Sequence, residues 1–431
     1  MNFEATEYFG KYPVLAELGS GATSRVYLAR DPFADREVAI KVFLFEEGAD
    51  PQTERMKHKA FLAEASLAGK LNHPHIVAIY DAVVEPDHSY LVMEYVRGTT
   101  LESHTELDKL LPLNKVVEII FKCVRALEYA YQHGVIHRDI KPGNILLSES
   151  GETKVGDFGA AFMQRPSYET TQITAVGSPA YMSPEQIRQE TLDQQTDIYS
   201  LGVTMYRLLT GRLPYEASTH AALAYAILNT TPTTPSRLRA DIPAALDRIV
   251  MKAIEKDPAR RYRSWLEFGS DLSQAFTSLR LSDGPVSDFE KFNRLRELPF
   301  FERFGEVVLW EAVRIGTWRS IPAGTVLIRE GDGGESFYLL VDGQLHVTLR
   351  GKRLAVIRPG GCFGEITCFT DRVRYRTTTI TAPREVTVIE IKAEALRAAT
   401  DACQAAFTKA VLRVVIDRLI DSNEMLLQVG V

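Results

Sequence analysis

The chain opens with alternation. Between residues 12 and 45, apolar and polar positions trade places through YPVLAEL, RVYLAR and EVAIKVFLF, with Gly-rich or Pro/Asp-containing turns between them. Patterning with a period of two predicts a strand meander. Residues 55–71 change to helical spacing, with Phe61, Ala65 and Ala68 in step and neither Gly nor Pro until Gly69. Two further apolar segments lie near 75–84 and 89–96. From residue 113 the run LNKVVEIIFKCVRALEYAYQHG reads as one long amphipathic helix stopped at Gly134. Residues 278–288 (SLRLSDGPVSD) are rich in Ser, Asp, Gly and Pro and read as a linker. The period then changes again. Residues 317–391 show short strands cut by glycine turns, the pattern of a small β-barrel or sandwich. Residues 402–427 return to a helix with Phe407, Val411, Val415 and Leu419 on one face. That face is expected to pack on the barrel before it.

A length of 431 residues suits two or three domains, and 45% hydrophobic with 25% charged residues is an ordinary globular composition. A net charge of −6 argues against a nucleic-acid binder, which carries a basic face. The four cysteines form no CxxC pair, so a reducing cytoplasm is expected, with neither a disulfide scaffold nor a zinc site. The N-terminus MNFEATEYFG lacks the apolar core of a signal peptide. No apolar run approaches the roughly 18–20 residues that span a bilayer, so no membrane span is expected.

The candidate chemistry lies in the first two thirds. Gly19-Ser20-Gly21-Ala22-Thr23-Ser24, followed by Val26, falls between two strands. Small residues there let backbone N–H groups approach phosphate oxygens. Lys41 ends the strand Val38-Ala39-Ile40-Lys41, and a lysine among buried strand residues needs an anionic partner. Glu64 on the following helix is one candidate. Then comes His137-Arg138-Asp139-Ile140-Lys141-Pro142-Gly143-Asn144, and thirteen residues past Asn144 stands Asp157-Phe158-Gly159. A carboxylate and an amide suit magnesium, a hard ion that keeps waters and takes substrate phosphates. A second carboxylate can accept a hydroxyl proton, and phosphoryl transfer asks for little more than positioning and charge neutralisation.

With these motifs in order, residues 9–275 resemble the eukaryotic-type (Hanks-type) protein kinases. The resemblance implies a bilobal fold, with a β-rich N-lobe and a helical C-lobe, that binds ATP and Mg²⁺ and acts on Ser or Thr of protein substrates. It implies that the 19–24 loop covers the phosphates, and that Lys41 holds them and pairs with Glu64. Asp139 would be the base, Asn144 and Asp157 the magnesium ligands, and Lys141 the support of the γ-phosphate. Met93 matches the gatekeeper, Glu94 to Val96 the hinge, and Val26, Ala39 and Leu146 the walls of the adenine slot. Asp197 would brace the catalytic loop, and Arg261 would pair with Glu185. Ser24 stands where a third glycine is usual, and Ser183 replaces the Ala of Ala-Pro-Glu. The loop between Asp157 and Glu185 offers Thr171 and Thr174 as sites of autophosphorylation, with Arg138 as the cation that would order the phosphorylated loop.

Residues 299–400 resemble the cyclic-nucleotide-binding fold. The resemblance rests on Pro322-Ala323-Gly324, Arg329-Glu330-Gly331-Asp332, Phe337-Tyr338-Leu339, Gly343, Pro359-Gly360, Phe363-Gly364-Glu365-Ile366 and Arg376-Thr377-Thr378-Thr379-Ile380. It implies a jelly-roll barrel with flanking helices. Glu365 would take the ribose hydroxyl of cyclic AMP or cyclic GMP, and Arg376 the cyclic phosphate, beside Gly364 and Thr377. The interval from Glu365 to Arg376 is slightly long for the family and contains Arg372 and Arg374 as rival arginines. A nucleotide sensor and a nucleotide-free docking or dimerisation module both fit these residues. The whole is thus expected to be an α+β multidomain chain: a kinase domain at 9–275, a linker at 276–298, and the second domain with its terminal helix at 299–431. A homodimer through that helix is the alternative to packing on the barrel.

Overall fold

A computed structural model describes residues 7–20, 24–44, 61–62, 65–66, 68–85, 88–158, 179–278, 286–369 and 375–429. The chain divides into two compact units, Met1–Asp283 and Gly284–Val431.

The first unit begins as the alternation requires. Strands β1 (Tyr8–Phe9), β2 (Tyr12–Ser20), β3 (Ser24–Asp31), β4 (Arg36–Leu44), β5 (Ile79–Val84) and β6 (His88–Glu94) form one antiparallel sheet in the order β1-β2-β3-β4-β6-β5. Side chains alternate across a strand, so one face collects every second residue. Tyr27, Ala29, Val38, Ile40, Val42, Tyr90 and Val92 lie on the core side with Phe9 and Tyr12. Val26, Ala39, Lys41 and Met93 therefore share the opposite face, and the register pairs Val26 with Lys41 and Ala39 with Met93.

The second half of this unit is helical. Helix α1 (Leu113–Gln132) buries Val116, Ile119, Ile120, Cys123, Val124 and Leu127. It packs against α3 (Gln194–Thr210) and α5 (Trp265–Ser278), and α3 packs on α4 (Ala244–Ala253). Beside α1, a small sheet of β7 (Gly98–Thr100), β8 (Ile145–Ser148) and β9 (Thr153–Val155) joins the segments that carry Asn144 and Asp157. The caps of α3 are local: the Asp193 carboxylate accepts from the Gln195 N–H at 2.8 Å, and Gly211 ends the helix at φ 73°. The short helix α2 (Pro184–Ile187) starts with a capping box between Ser183 and Gln186.

The second unit starts earlier than its sequence suggests. Residues 288–297, read above as linker, form helix α6 (Asp288–Glu297), which buries Phe289, Phe292 and Leu295. Phe292 stacks on Trp310 of α7 (Glu306–Ile315) with ring centroids 4.2 Å apart. The barrel then consists of two four-stranded sheets. One has the order β10 (Gly316–Ile321), β17 (Val386–Lys392), β12 (Ser336–Asp342), β15 (Cys362–Phe363). The other runs β11 (Val326–Ile328), β16 (Thr379–Thr381), β13 (Leu345–Leu349), β14 (Lys352–Ile357). Ile321, Ile328, Leu340, Leu345, Ile357, Phe363, Ile380 and Val388 come from all eight strands into one core, so the sheets face each other. Helix α8 (Ile366–Phe369) follows β15, and α9 (Asp401–Val429) closes the described chain.

The terminal helix corrects one expectation. Phe407 and Val411 are buried against their own unit as expected, but Val415 and Leu419 are exposed, Leu419 by 60%. Helical period fixes which residues share a face. It does not fix how far the neighbouring structure extends to cover them.

Candidate active site and ligand pocket

The first site is built where the sheet face meets the small β7-β8-β9 sheet. Lys41 Nζ contacts Asp157 Oδ1 directly. Burial pushes the Asp157 carboxyl up, but the neighbouring ammonium outweighs it and holds the group below the usual carboxylate range. The expected partner Glu64 lies outside the described residues, as do Gly21, Ala22, Thr171 and Thr174. Asp157 has φ 57° and Arg138 φ 67°, left-handed values uncommon for non-glycine residues. The surroundings fix both. The Asp197 carboxylate accepts from the N–H groups of His137 and Arg138, each at 2.7 Å, and the Arg138 carbonyl accepts from Gln186 Nε2 at 2.8 Å. His137 Nε2 lies 2.9 Å from the Gly156 carbonyl, and its ring packs on Phe158. The main chain before Asp157 is thus tied to the loop that carries Asp139.

Asp139 is the centre of a compact set. Its Oδ2 accepts from Lys141 Nζ at 2.7 Å and from Asn144 Nδ2 at 3.0 Å. Asn144 Nδ2 also donates to the Asp139 carbonyl at 2.8 Å. Two consequences follow. Both side-chain donors fall on the same carboxylate oxygen, Oδ2. The amide nitrogen of Asn144 is spent on Asp139, so its oxygen is turned away from it. The Gly156 N–H donates to the Asn144 carbonyl at 2.8 Å, joining this residue to the start of the Asp157 segment.

The remaining positions flank this set. Val26, Ala39 and Met93 stand on the face that carries Lys41, and Leu146 comes from β8 opposite Thr100 and Lys154. A Cβ on Gly156 would approach Leu146 Cδ1 to 3.0 Å, so glycine is what admits that side chain. Glu94 ends β6, and its carboxylate accepts from Lys154 Nζ and from the Ala78 N–H, a tie the sequence did not announce. Val96 is buried beside it. Gly19 and Ser20 end β2 at the edge of the undescribed loop tip.

Does this set fit magnesium? Among the described residues, no group of three or more His, Cys, Asp or Glu side chains could hold a metal ion. A site with two oxygen donors, one carboxylate and one amide, fits an ion that keeps several waters and takes the rest of its shell from phosphates.

Residues 12–267 match the protein kinase domain family. The chain belongs to the protein kinase family. Residues 318–403 of the same kinase chain match the cyclic nucleotide-binding domain. Serine/threonine-protein kinase PrkC of Bacillus subtilis is 37% identical over 293 residues, covering 68% of this chain and 45% of PrkC. Serine/threonine-protein kinase PknB of Mycolicibacterium smegmatis is 39% identical over 287 residues, covering 65% of this chain and 44% of PknB. The kinase chain therefore spans under half the length of the curated relatives it matches. No helix among the described residues is long and apolar enough to cross a membrane.

In the kinase C-lobe, Arg261 Nη1 and Nη2 reach the Glu185 carboxylate at 2.7 and 3.2 Å, both side chains buried. This is the pairing the motifs implied. The second unit gathers Gly364, Glu365 and Arg376, while Thr377 is exposed. Arg376 lies in a slot cut by glycine: a Cβ on Gly334 would meet its Nη2 at 2.2 Å, and one on Gly364 (φ 76°) its Nη1 at 2.7 Å. Its guanidinium donates to the Gly364 carbonyl at 2.6 Å, to Thr367 Oγ1 at 2.9 Å and to the Ser336 carbonyl at 2.6 Å. The rival arginines Arg372 and Arg374 lie outside the described residues. Cys362, two residues before Gly364, is buried, and burial pushes its thiol up to about 12, which makes it a poor nucleophile. Sequence reading did not find Arg418, whose Nη1 donates to Glu365 Oε1 at 2.7 Å from helix α9.

Proposed function

We propose that this chain transfers the γ-phosphoryl group of MgATP to Ser or Thr hydroxyls of protein substrates. One observation carries the reading: a single carboxylate, Asp139, is held by Lys141 and Asn144, while the Lys41–Asp157 pair is tied to the same loop through Gly156 and His137.

In this reading ATP lies between the sheet face of Val26, Ala39 and Met93 and the side chain of Leu146, with Glu94 to Val96 along the adenine edge. Lys41 neutralises the α- and β-phosphates, and Gly19 to Ala22 cover them. Asn144 and Asp157 would hold magnesium, which supplies neutralisation of phosphate charge. Asp139 Oδ1 orients the substrate hydroxyl and takes its proton. The hydroxyl oxygen bonds to the γ-phosphorus as the bond to the β,γ-bridging oxygen breaks, and ADP leaves. Lys141, already at Asp139, steadies the transferred group. Thr171 and Thr174 are the proposed sites of autophosphorylation. The second unit is proposed to bind a cyclic nucleotide, with Glu365 toward the ribose and Arg376 toward the phosphate, and to bias kinase activity. Such regulation demands that the ligand prefer one of two states of the chain.

The test is phosphate transfer from labelled ATP to a generic basic protein and to the chain itself, comparing the parent with Asp139→Asn and Asp157→Asn. Loss of a positioned acid–base group costs on the order of 10²–10⁴-fold. Loss of a magnesium ligand should cost a comparable several kcal/mol, at about 1.4 kcal/mol per tenfold. A folded variant of either kind that labels protein as fast as the parent overturns the assignment.

A further inference from the structure

The carboxylate assigned to a ligand's ribose is filled by the protein's own last helix. Glu365 is 5% exposed. Arg418 Nη1 donates to its Oε1, and Arg418 Nη2 contacts the Cys362 carbonyl three residues earlier. The guanidinium therefore spans the strand end and the carboxylate. The Arg418 side chain is itself 44% exposed, so it approaches from the solvent side and covers Glu365.

Helix α9 is held in two ways. Its first half is anchored by packing: Phe407 is fully buried among Phe300, Phe301, Phe304 and Phe337, and Arg413 donates to the carbonyls of Pro299 and Phe300 at 2.9 and 3.1 Å. Its outer half is different. Val415, Ile416, Leu419 and Ile420 are exposed. Among residues 414–420, Arg418 is the only one whose side chain hydrogen-bonds elsewhere in the unit. One charge-assisted contact, placed on the pocket, holds a stretch of helix that has little packing to keep it there.

We infer that Arg418 and the ribose of a cyclic nucleotide compete for Glu365, so that filling the pocket releases the outer half of α9. The inference rests on the cyclic-nucleotide reading of this pocket. A buried carboxylate cannot be left without donors, so Arg418 leaves only when hydroxyl donors replace it. Empty and filled pockets thus correspond to a docked and an undocked helix. This supplies the two states that regulation requires.

The experiment uses the full chain, with calorimetric titration of cyclic AMP and cyclic GMP into the parent, Arg418→Ala and Arg418→Lys. Removing the competitor should tighten binding by roughly 5–150-fold, the usual span of coupling between sites, with the lysine variant between parent and alanine. In the parent, which needs no variant to fold, saturating nucleotide should speed amide hydrogen exchange across residues 414–420 and leave 401–413 protected. If the parent binds but Arg418→Ala binds equally or more weakly, or exchange in 414–420 slows, the competition is wrong while the pocket assignment stands. If neither parent nor variant binds either nucleotide at millimolar concentration, the pocket assignment fails and the inference falls with it.

Discussion

The two ligand regions hold their charges in opposite ways. In the kinase cleft the charged groups are paired with one another and stay within reach of solvent: Lys41 with Asp157, Lys141 with Asp139. In the reading proposed above, each pair keeps an edge toward the nucleotide and the incoming hydroxyl. In the second unit, Glu365 and Arg376 are both buried and are committed to the protein itself, Arg376 to two main-chain carbonyls and Thr367, Glu365 to Arg418. Mutually paired charges in a cleft can be taken over by phosphates and metal without leaving anything buried and unpaired. Charges stitched into the fold must first be released, and that release is what can be coupled to movement. The first arrangement suits turnover and the second suits a switch.

The largest effect that would break this contrast lies in the kinase lobe, where one pair is buried and purely structural. Glu185 is pushed up by burial, but Arg261 outweighs this and holds it below the ordinary carboxylate value. Its folded pKa is thus lower than its unfolded one. The stabilisation it gives is complete above the ordinary carboxylate range and is lost as pH falls through the acid region below it. Glu185→Gln keeps the shape and leaves Arg261 as an uncompensated buried charge, which should cost about 3–5 kcal/mol at neutral pH. Hydrogen exchange across residues 194–210 in rising urea would measure it. Parent and variant should converge as the pH is lowered. Equal stability at pH 7 would mean that this pair, like the cleft pairs, can be broken without penalty.

A middle-sized effect tests the stitched pocket. Gly334→Ala would drive a Cβ to 2.2–2.5 Å from three guanidinium atoms of Arg376. Overpacking of this kind costs roughly 1–3 kcal/mol. It should also displace the bonds to Ser336 and Gly364 and abolish nucleotide binding. Gly333→Ala is the control, since a Cβ there meets nothing within 4 Å. Neither glycine has a positive φ, so backbone strain does not separate the two. Indistinguishable melting and binding for the two variants would show that Arg376 is not confined as described.

How much of this was legible beforehand follows from the range of each signal. The cleft face was legible because period-two alternation assigns Val26, Ala39, Lys41 and Met93 to one side without knowledge of the fold. Asp139, Asn144 and Asp157 were legible because they lie within one short stretch. The Arg261–Glu185 pair joins residues 76 positions apart and was reached through resemblance alone. Arg418 was not legible. It lies 53 residues from Glu365 on a helix whose periodicity says which residues share a face, never what that face meets. Helix α6 was hidden for another reason. DFEKFNRLRE is mostly charged and follows a Ser/Gly/Pro stretch, so its three buried apolar residues were too few to outweigh linker-like composition. The Glu94–Lys154 tie, 60 residues apart, carries no local signal either.

The smallest effect sharpens the contrast by moving to a half-exposed ion pair of the same barrel. Arg319 of β10 donates to Glu390 of β17 at 2.9 Å, and Tyr338 adds a hydrogen bond to the same carboxylate at 3.1 Å. Burial raises Glu390, but Arg319, Ser336 and Tyr338 outweigh it, and the group sits below the usual carboxylate range. By the same sign argument, the pair contributes at neutral pH and fades as acid protonates the carboxylate. Arg319 is half exposed, however, so screening and side-chain entropy leave such a pair worth about 0–1 kcal/mol. Arg319→Ala should therefore lower the melting temperature of the second unit only slightly, and less still in high salt. It should leave nucleotide affinity and phosphate transfer unchanged. An affinity change as large as that expected for Arg418→Ala would mean that a half-exposed ion pair tunes the pocket as strongly as a buried one, and the contrast would fail.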